Sequence, residues 1–187
     1  MDNLAIPIIS YILLLVFLFS LIDKVRNWHA FVSKVEEYRL LPKKLVKPVN
    51  YFFILIELYL VFVFLLMKFS LLNLFIFVLL ICMYTGAIAI NLYRGNTLIS
   101  CGCGGPLEND RLSSMLLIRN LSLILLGGSL LFLDPLHYQW ADLLNAFLVS
   151  LSILLLYGVI NLFSLQIKLV KRLKEKLEYF SNVKEEF

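Results

Sequence analysis

The sequence predicts an all-α integral membrane protein, built as a four-helix transmembrane bundle with a fifth span and an interfacial amphipathic helix. Two observations predict this fold. Hydrophobic residues make up 61% of the 187 residues and the mean hydropathy is +0.89, which is more than a soluble domain of this size can bury. The apolar residues also fall into five runs, each long enough to cross roughly 30 Å of hydrocarbon as a helix.

The five runs follow one another along the chain, at about Leu4–Ile22, Val49–Met67, Leu71–Leu92, Met115–Leu133 and Leu143–Ser164. The first run has no basic region before it and no small-residue cleavage pattern, so we interpret it as a retained span. No solenoid repeat or low-complexity linker divides the chain. We therefore expect a single membrane domain over residues 1–187, with a fifth span at 143–164 and a basic amphipathic tail at 165–187.

The basic segment Lys24–Lys47 follows the first span. Its apolar residues recur at near-helical spacing, with charged residues between them; they are Trp28, Phe31, Val32, Val35 and Tyr38. This pattern predicts an amphipathic helix in the headgroup region, ended by Pro42. The segment is then either a lipid-anchoring connector or a docking surface for a partner.

Positive charge is concentrated in two regions. Of the 17 Lys and Arg residues, seven lie within Lys24–Lys47 and six within Lys168–Lys184. With five spans, both regions lie on the same side of the membrane as the loop between the third and fourth spans. The positive-inside rule places that side in the cytoplasm. Because anionic lipid explains juxtamembrane charge, we expect no nucleic-acid partner.

The loop between the third and fourth spans contains Cys101-Gly102-Cys103-Gly104-Gly105. Two thiols one residue apart can cycle between dithiol and disulfide, and the glycines give the backbone the freedom to bend. A disulfide across one residue closes a strained ring, which makes it more oxidising. The pattern favours a redox pair, with a Cu(I) clamp or an inert turn as alternatives. A closed zinc site needs about four ligands, which the loop lacks, so we predict no metal.

Two ionisable residues lie inside predicted spans, where such side chains are usually functional or paired. Glu57 in the second span and Arg119 in the fourth are expected at comparable depth, about 6–12 Å below the face that carries the cysteine loop. An ion pair between them either fixes helix packing or serves redox chemistry. In the second case Arg119 stabilises a thiolate or a quinone oxygen and Glu57 handles a proton. Asn120 and Arg94 add polar groups at this level, whereas Cys82 is expected to be a small buried hydrophobe.

Five pieces of sequence together resemble the methylamine-utilisation protein E (MauE) family, within the wider group of DoxX-like membrane proteins. The resemblance covers roughly residues 10–130. It is carried by Tyr38-Arg-Leu-Leu-Pro42, Glu57, Asn91-Leu-Tyr-Arg-Gly95, Cys101-Gly-Cys-Gly-Gly105 and Arg119-Asn120.

The resemblance implies a membrane thiol-disulfide oxidoreductase or redox relay that supports disulfide formation in exported proteins. Cys101 and Cys103 would be the redox pair, with Glu57, Arg94, Arg119 and Asn120 as polar support and Gly102, Gly104 and Gly105 as the loop backbone. A thioredoxin-like protein and a cysteine-containing substrate would be the partners. By analogy with other helical-bundle thiol oxidoreductases, a membrane quinone would accept electrons.

The resemblance also implies a location in the bacterial cell membrane with the cysteine loop outside, because disulfide delivery needs an oxidising compartment. This location conflicts with the charge distribution. The rule is weakest for basic residues of an interfacial helix, where the charged ends reach lipid phosphates. The alternative function is non-enzymatic: a membrane chaperone or accessory subunit, or a bacteriocin-associated maturation or immunity protein.

Overall fold

The computed structural model describes residues 4–96, 114–131 and 139–185. These residues form six helices and no strand, so the predicted all-α fold is confirmed. In chain order the helices are α1 (Ala5–Arg26), α2 (Trp28–Glu37), α3 (Lys43–Leu65), α4 (Leu71–Tyr93), α5 (Ser114–Ser129) and α6 (Trp140–Glu185).

Within the described ranges, four helices are long and apolar enough to cross a membrane: α1, α3, α4 and the Trp140–Ser164 part of α6. The predicted span Met115–Leu133 corresponds to α5, which has 16 residues. At a rise of 1.5 Å per residue, α5 is about 24 Å long, short of the roughly 30 Å of a hydrocarbon core. The helical membrane bundle is therefore confirmed, with one helix shorter than the sequence indicates.

The chain divides into two compact units, Met1–Leu151 and Ser152–Phe187. The first unit contains α1 to α5 and the beginning of α6, and every candidate site residue lies in its part of the chain. The second unit is the remainder of α6, which is helical to Glu185. The domain organisation expected from the sequence, a single membrane domain with a family-like core at about 10–130, stays a prediction.

The core of the first unit is formed where α1, α3 and α4 meet. Three aromatic rings stand at its centre, with ring centroids 5.8 Å apart for Phe17 and Phe77 and 5.7 Å apart for Phe64 and Phe77. Both pairs meet edge to face, an arrangement that aromatic side chains prefer. Ser10 adds a polar contact to this core, because its hydroxyl donates a 2.8 Å hydrogen bond to the carbonyl oxygen of Phe64.

The close approach of α5 to α4 depends on Gly127. A Cβ atom at this position would clash with Cε1 of the buried Phe77 ring, whereas a Cβ at the neighbouring Gly128 would meet nothing within 4 Å. Small residues let transmembrane helices approach closely. Gly127 therefore sets the distance between α5 and the aromatic core.

The basic segment after the first span contains the predicted amphipathic helix, but the helix is shorter than expected. It is α2, which begins at Trp28 and ends at Glu37, with Phe31 and Val32 buried. The Trp28 ring lies against the Tyr51 ring of α3, with centroids 4.5 Å apart. The two ends of the basic segment belong to other helices, because Lys24 is in α1 and Lys43–Lys47 begin α3.

Candidate functional site

A buried ion pair joins α1 to α3. The ammonium group of Lys24 bonds Oε1 of Glu57, and each side chain is only 1% exposed. On α1, Lys24 follows the buried residues Ser10, Leu13 and Phe17 at intervals of three, four and seven, which place all four on one helix face. Charges this deep are tolerated only when they are paired, and the pair makes Lys24 part of the interior of the bundle.

Tyr84 of α4 completes this cluster. Its hydroxyl donates a 2.7 Å hydrogen bond to Oε1 of Glu57 and accepts a 3.1 Å hydrogen bond from Nζ of Lys24. Two aromatic faces also surround the ammonium group, at 4.7 Å from the Tyr84 centroid and 5.2 Å from the Phe31 centroid. The charge of Lys24 is thus compensated by a carboxylate, a phenol and two π systems. Residues from four helices, α1 to α4, meet at this point.

The expected ion pair of Glu57 with Arg119 is replaced in the structure by the pair with Lys24. Glu57 and Arg119 were expected to pair because they lie at comparable depth, and Lys24 was expected at the juxtamembrane surface. The cation that shares a buried face with Glu57 was therefore missed. The other carboxylate oxygen, Oε2 of Glu57, is buried and has no hydrogen-bond partner among the described residues. Pairing within the bundle depends on which helix faces meet, and depth alone does not determine that.

Arg119 and Asn120 lie together on α5, as predicted, but they connect to α4. The Arg119 guanidinium donates to Oδ1 of Asn120 at 3.3 Å, and Nδ2 of Asn120 donates to the Thr85 hydroxyl at 3.0 Å. Thr85 in turn donates to the carbonyl oxygen of Ile81 at 2.7 Å. This chain of hydrogen bonds ties the beginning of α5 to the second half of α4.

The end of α4 carries two further residues of the sequence pattern. Asn91 is fully buried and donates to the carbonyl oxygen of Ala87 at 3.0 Å. Arg94 is exposed and caps the helix. The turn closes with Gly95 at a φ of 75°, a left-handed conformation that favours glycine. The arginine is thus held at the point from which the chain enters the cysteine-bearing segment.

The predicted redox pair, Cys101 and Cys103, lies outside the described residues, as do Gly102, Gly104 and Gly105. Their segment joins the end of α4 to the beginning of α5. Cys82 is described and is a free, exposed cysteine on α4, so the expectation that it is buried was wrong. In a membrane protein an exposed apolar helix face contacts lipid, where a thiol is tolerated as well as in a core.

A partly enclosed cavity of about 330 Å³ lies among α2, α3 and α4. Its walls are mainly apolar and include Phe31, Phe53 and Ile88. Asn50 of α3 also lines it; this side chain is 0% exposed, and neither its amide nitrogen nor its oxygen has a partner in the described parts of the chain. The cavity adjoins the ion-pair cluster, since Tyr84 and Phe31 belong to both.

The sequence contained a signal for the residues that were missed. On α3 the buried Asn50 and Glu57 are seven residues apart, and on α4 Tyr84 lies seven residues after the buried Phe77. A spacing of seven keeps residues on one face of a helix. Polar residues in register with the buried apolar positions were therefore candidates for the interior.

Helices that are apolar on their outer faces and bury an ion pair between them define a polytopic helical membrane protein. The family model described as methylamine utilisation protein MauE matches residues 2–133, more than half of the chain. The chain therefore belongs to the MauE family, as its motifs indicate. Comparisons with curated proteins and with solved structures gave no match.

Proposed function

We propose that this protein is a membrane thiol-disulfide oxidoreductase that supports disulfide formation in exported proteins. The observation that carries the proposal is the pair Cys101 and Cys103, one residue apart in the segment that joins two helices of the family core. A thioredoxin-like protein is the proposed partner, and a cysteine-containing protein is the final substrate.

The reaction is a thiol-disulfide exchange. A partner thiolate attacks one sulfur of the Cys101–Cys103 disulfide, which forms a mixed disulfide and releases the other cysteine as a thiolate. The second partner thiol then attacks the first partner sulfur and displaces the bound cysteine, so that the partner leaves as a disulfide and the cysteine pair is left as a dithiol. Two electrons and two protons must afterwards leave the pair, and a membrane-soluble acceptor is needed for them.

The surroundings of the segment support thiolate chemistry. Arg94 lies exposed at the end of α4, immediately before the segment, and Arg119 lies in the second turn of α5, after it. Positive charge near a cysteine lowers its pKa and increases the thiolate fraction. The bonds from Arg119 through Asn120 to Thr85 hold one of these charges in a defined position. Arg94, Arg119 and Asn120 are thus proposed as positioning residues.

The proposed location is the bacterial cell membrane, with the cysteine segment on the outer side. Disulfides persist in oxidising compartments, and the substrate meets the protein there. Lys24 does not oppose this orientation, because it is buried and neutralised by Glu57. The remaining basic residues of α2 and α3 do oppose it under the positive-inside rule, so sidedness is the first property to measure.

The test is thiol labelling in intact cells with a membrane-impermeant maleimide, in a Cys82→Ala background that removes the described free thiol. We expect labelling of Cys101 and Cys103 only after reduction, which indicates an external disulfide. Labelling of reduced thiols that requires permeabilised cells contradicts delivery to the outside. The Cys82→Ala protein itself is the matched control and should keep full activity.

A second measurement separates catalysis from a non-enzymatic accessory role. The Cys101→Ser and Cys103→Ser variants should accumulate normally in the membrane but fail to oxidise a reduced thioredoxin-like partner. If the double variant oxidises the partner as well as the parent does, the redox proposal is wrong. Co-purification of a partner that does not depend on the cysteines would then favour a chaperone or accessory subunit.

A further inference from the structure

The cavity among α2, α3 and α4 combines an apolar wall with a single unsatisfied amide. Its volume of about 330 Å³ falls within the range of small-molecule sites, which are usually apolar with a few placed polar groups. Asn50 has a donor and an acceptor that are buried without partners among the residues described. A buried amide left in this state destabilises the folded protein. The site is thus complementary to a ligand that is apolar over most of its surface and supplies a hydrogen-bonding group at one end.

The lining excludes other classes of ligand. A charged or sugar-like molecule needs several polar partners, and the polar side chains around the cavity are only Asn50 and the phenols of Tyr38 and Tyr84, within the described chain. The Tyr84 hydroxyl already donates to Glu57. An acyl chain fills an apolar space but leaves the amide of Asn50 unsatisfied. A flat ring with a carbonyl oxygen fits the aromatic walls and accepts a hydrogen bond from the amide nitrogen of Asn50.

We propose that this cavity binds a membrane quinone, with the Asn50 amide donating a hydrogen bond to a quinone carbonyl oxygen and Phe53 and Phe31 lying against the ring. The cavity lies beside the second half of α4, whose end leads into the cysteine segment. Ile88 lines the cavity and also packs with Tyr38 and Leu116, the latter in the first turn of α5. The helices on either side of that segment therefore adjoin the binding site.

This inference rests on the proposed function and supplies its electron acceptor. Oxidation of the Cys101–Cys103 dithiol to a disulfide releases two electrons and two protons, and a quinone takes up two electrons and two protons to become a quinol. The reaction of dithiol and quinone to disulfide and quinol is therefore balanced in electrons and protons. The proton-bearing groups beside the cavity include the Tyr38 and Tyr84 hydroxyls, which line it, and the Lys24 ammonium, which bonds the Tyr84 hydroxyl.

The test uses the purified full-length protein in detergent and two probes, decylubiquinone and decylbenzene. The second probe has a ring and the same alkyl chain but no carbonyl oxygen. We expect saturable binding of decylubiquinone and roughly tenfold weaker binding to the Asn50→Leu variant, because one hydrogen bond is lost. The affinity for decylbenzene should not fall in this variant. Asn50→Leu should fold at least as well as the parent, since it removes an unsatisfied amide.

Two further variants test the location of the site. Ala87→Leu adds bulk to the cavity wall and should weaken binding of both probes. Gly86→Ala is the control on the same helix, since a Cβ there meets nothing within 4 Å, and it should bind as the parent does. Equal decylubiquinone affinity in the parent and Asn50→Leu proteins would overturn the proposal and indicate a lipid chain in the cavity. Absence of saturable binding would overturn it as well.

The same titration in the Cys101→Ser, Cys103→Ser double variant separates this site from the redox proposal. We expect quinone affinity to be unchanged, because the described lining of the cavity contains no cysteine and the proposed hydrogen bond comes from Asn50. If this variant binds quinone normally while the cysteines of the parent prove inert, the redox function fails and the binding site stands. If the cysteines exchange with a thioredoxin-like partner but no quinone binds, the redox function stands and the binding site fails.

Discussion

The Lys24–Glu57 pair offers the sharpest test of how this bundle is held together. Each charge is 1% exposed, so loss of one partner leaves the other buried in a medium that solvates it poorly. Removing one member of a buried pair costs about 3–5 kcal/mol, whereas replacing both by apolar residues of similar volume is often neutral or stabilising. The stabilities of the single and double variants should therefore differ in a characteristic way.

The variants are Lys24→Met, Glu57→Leu and the double replacement. In Lys24→Met the carboxylate keeps only the Tyr84 hydroxyl on Oε1, and Oε2 has no partner in the described structure to compensate. In Glu57→Leu the ammonium keeps the same hydroxyl and two aromatic faces. We expect the free energy of unfolding to fall by about 3–5 kcal/mol in each single variant. In the double variant it should lie within about 1 kcal/mol of the parental value.

The measurement is thermal unfolding of the purified proteins in one detergent, followed by the helical circular dichroism signal. At about 2–4 °C per kcal/mol for a chain of this size, each single variant should lower Tm by roughly 6–20 °C. Arg26→Met is the matched control, since Arg26 lies in the same last turn of α1 but is exposed. It should change stability by less than about 0.5 kcal/mol. The reasoning is refuted if the Lys24→Met protein is as stable as this control. It is also refuted if the double variant is as unstable as the less stable of the two single variants.

Two other predictions concern the contact between α4 and α5, and both are read out by the same unfolding measurement. Gly127→Ala forces a Cβ against the Phe77 ring and should lower the free energy of unfolding by about 1–3 kcal/mol. The neighbouring Gly128→Ala is the control and should be neutral or slightly stabilising. Equal effects of the two changes would contradict the close approach of α5 to Phe77. Asn120→Leu removes the bond to Thr85 and should cost about 0.6–1.7 kcal/mol. In a cycle with Thr85→Val the two changes should be less than additive, and full additivity would show that the bond does not stabilise the bundle.

The fold was largely predictable because hydropathy reports which segments meet lipid, and that property is local in the sequence. The four longest spans and the amphipathic α2 follow from it directly. The length of α5 was less accessible, because its described helix ends at Ser129 while the apolar run in the sequence continues to Leu133. Apolar composition sets a limit on the length of a span and does not fix where the helix ends.

The site was predictable in part, for a different physical reason. Glu57 and Asn120 were identified because polar residues in apolar segments are unusual and easily seen. Lys24 was assigned to the surface because it lies among other basic residues near the end of a span, where long side chains usually reach water. Its seven-residue spacing from Phe17 outweighed that tendency. Asn50 was overlooked because it also lies near the end of a predicted span, where polar residues usually reach water.

A buried ion pair adds little to stability by itself, so its position beside a cavity calls for another explanation. Reduction of a quinone needs two protons, which hydrocarbon does not supply, and the Lys24–Glu57–Tyr84 cluster holds exchangeable protons at the cavity wall. The Lys24→Met, Glu57→Leu double variant separates the two roles. It should fold and should bind decylubiquinone, since Asn50 is untouched, but it should form quinol from a reduced thioredoxin-like partner at least tenfold more slowly. If quinol forms at the parental rate, the cluster is a packing device and the protons reach the cavity by another route.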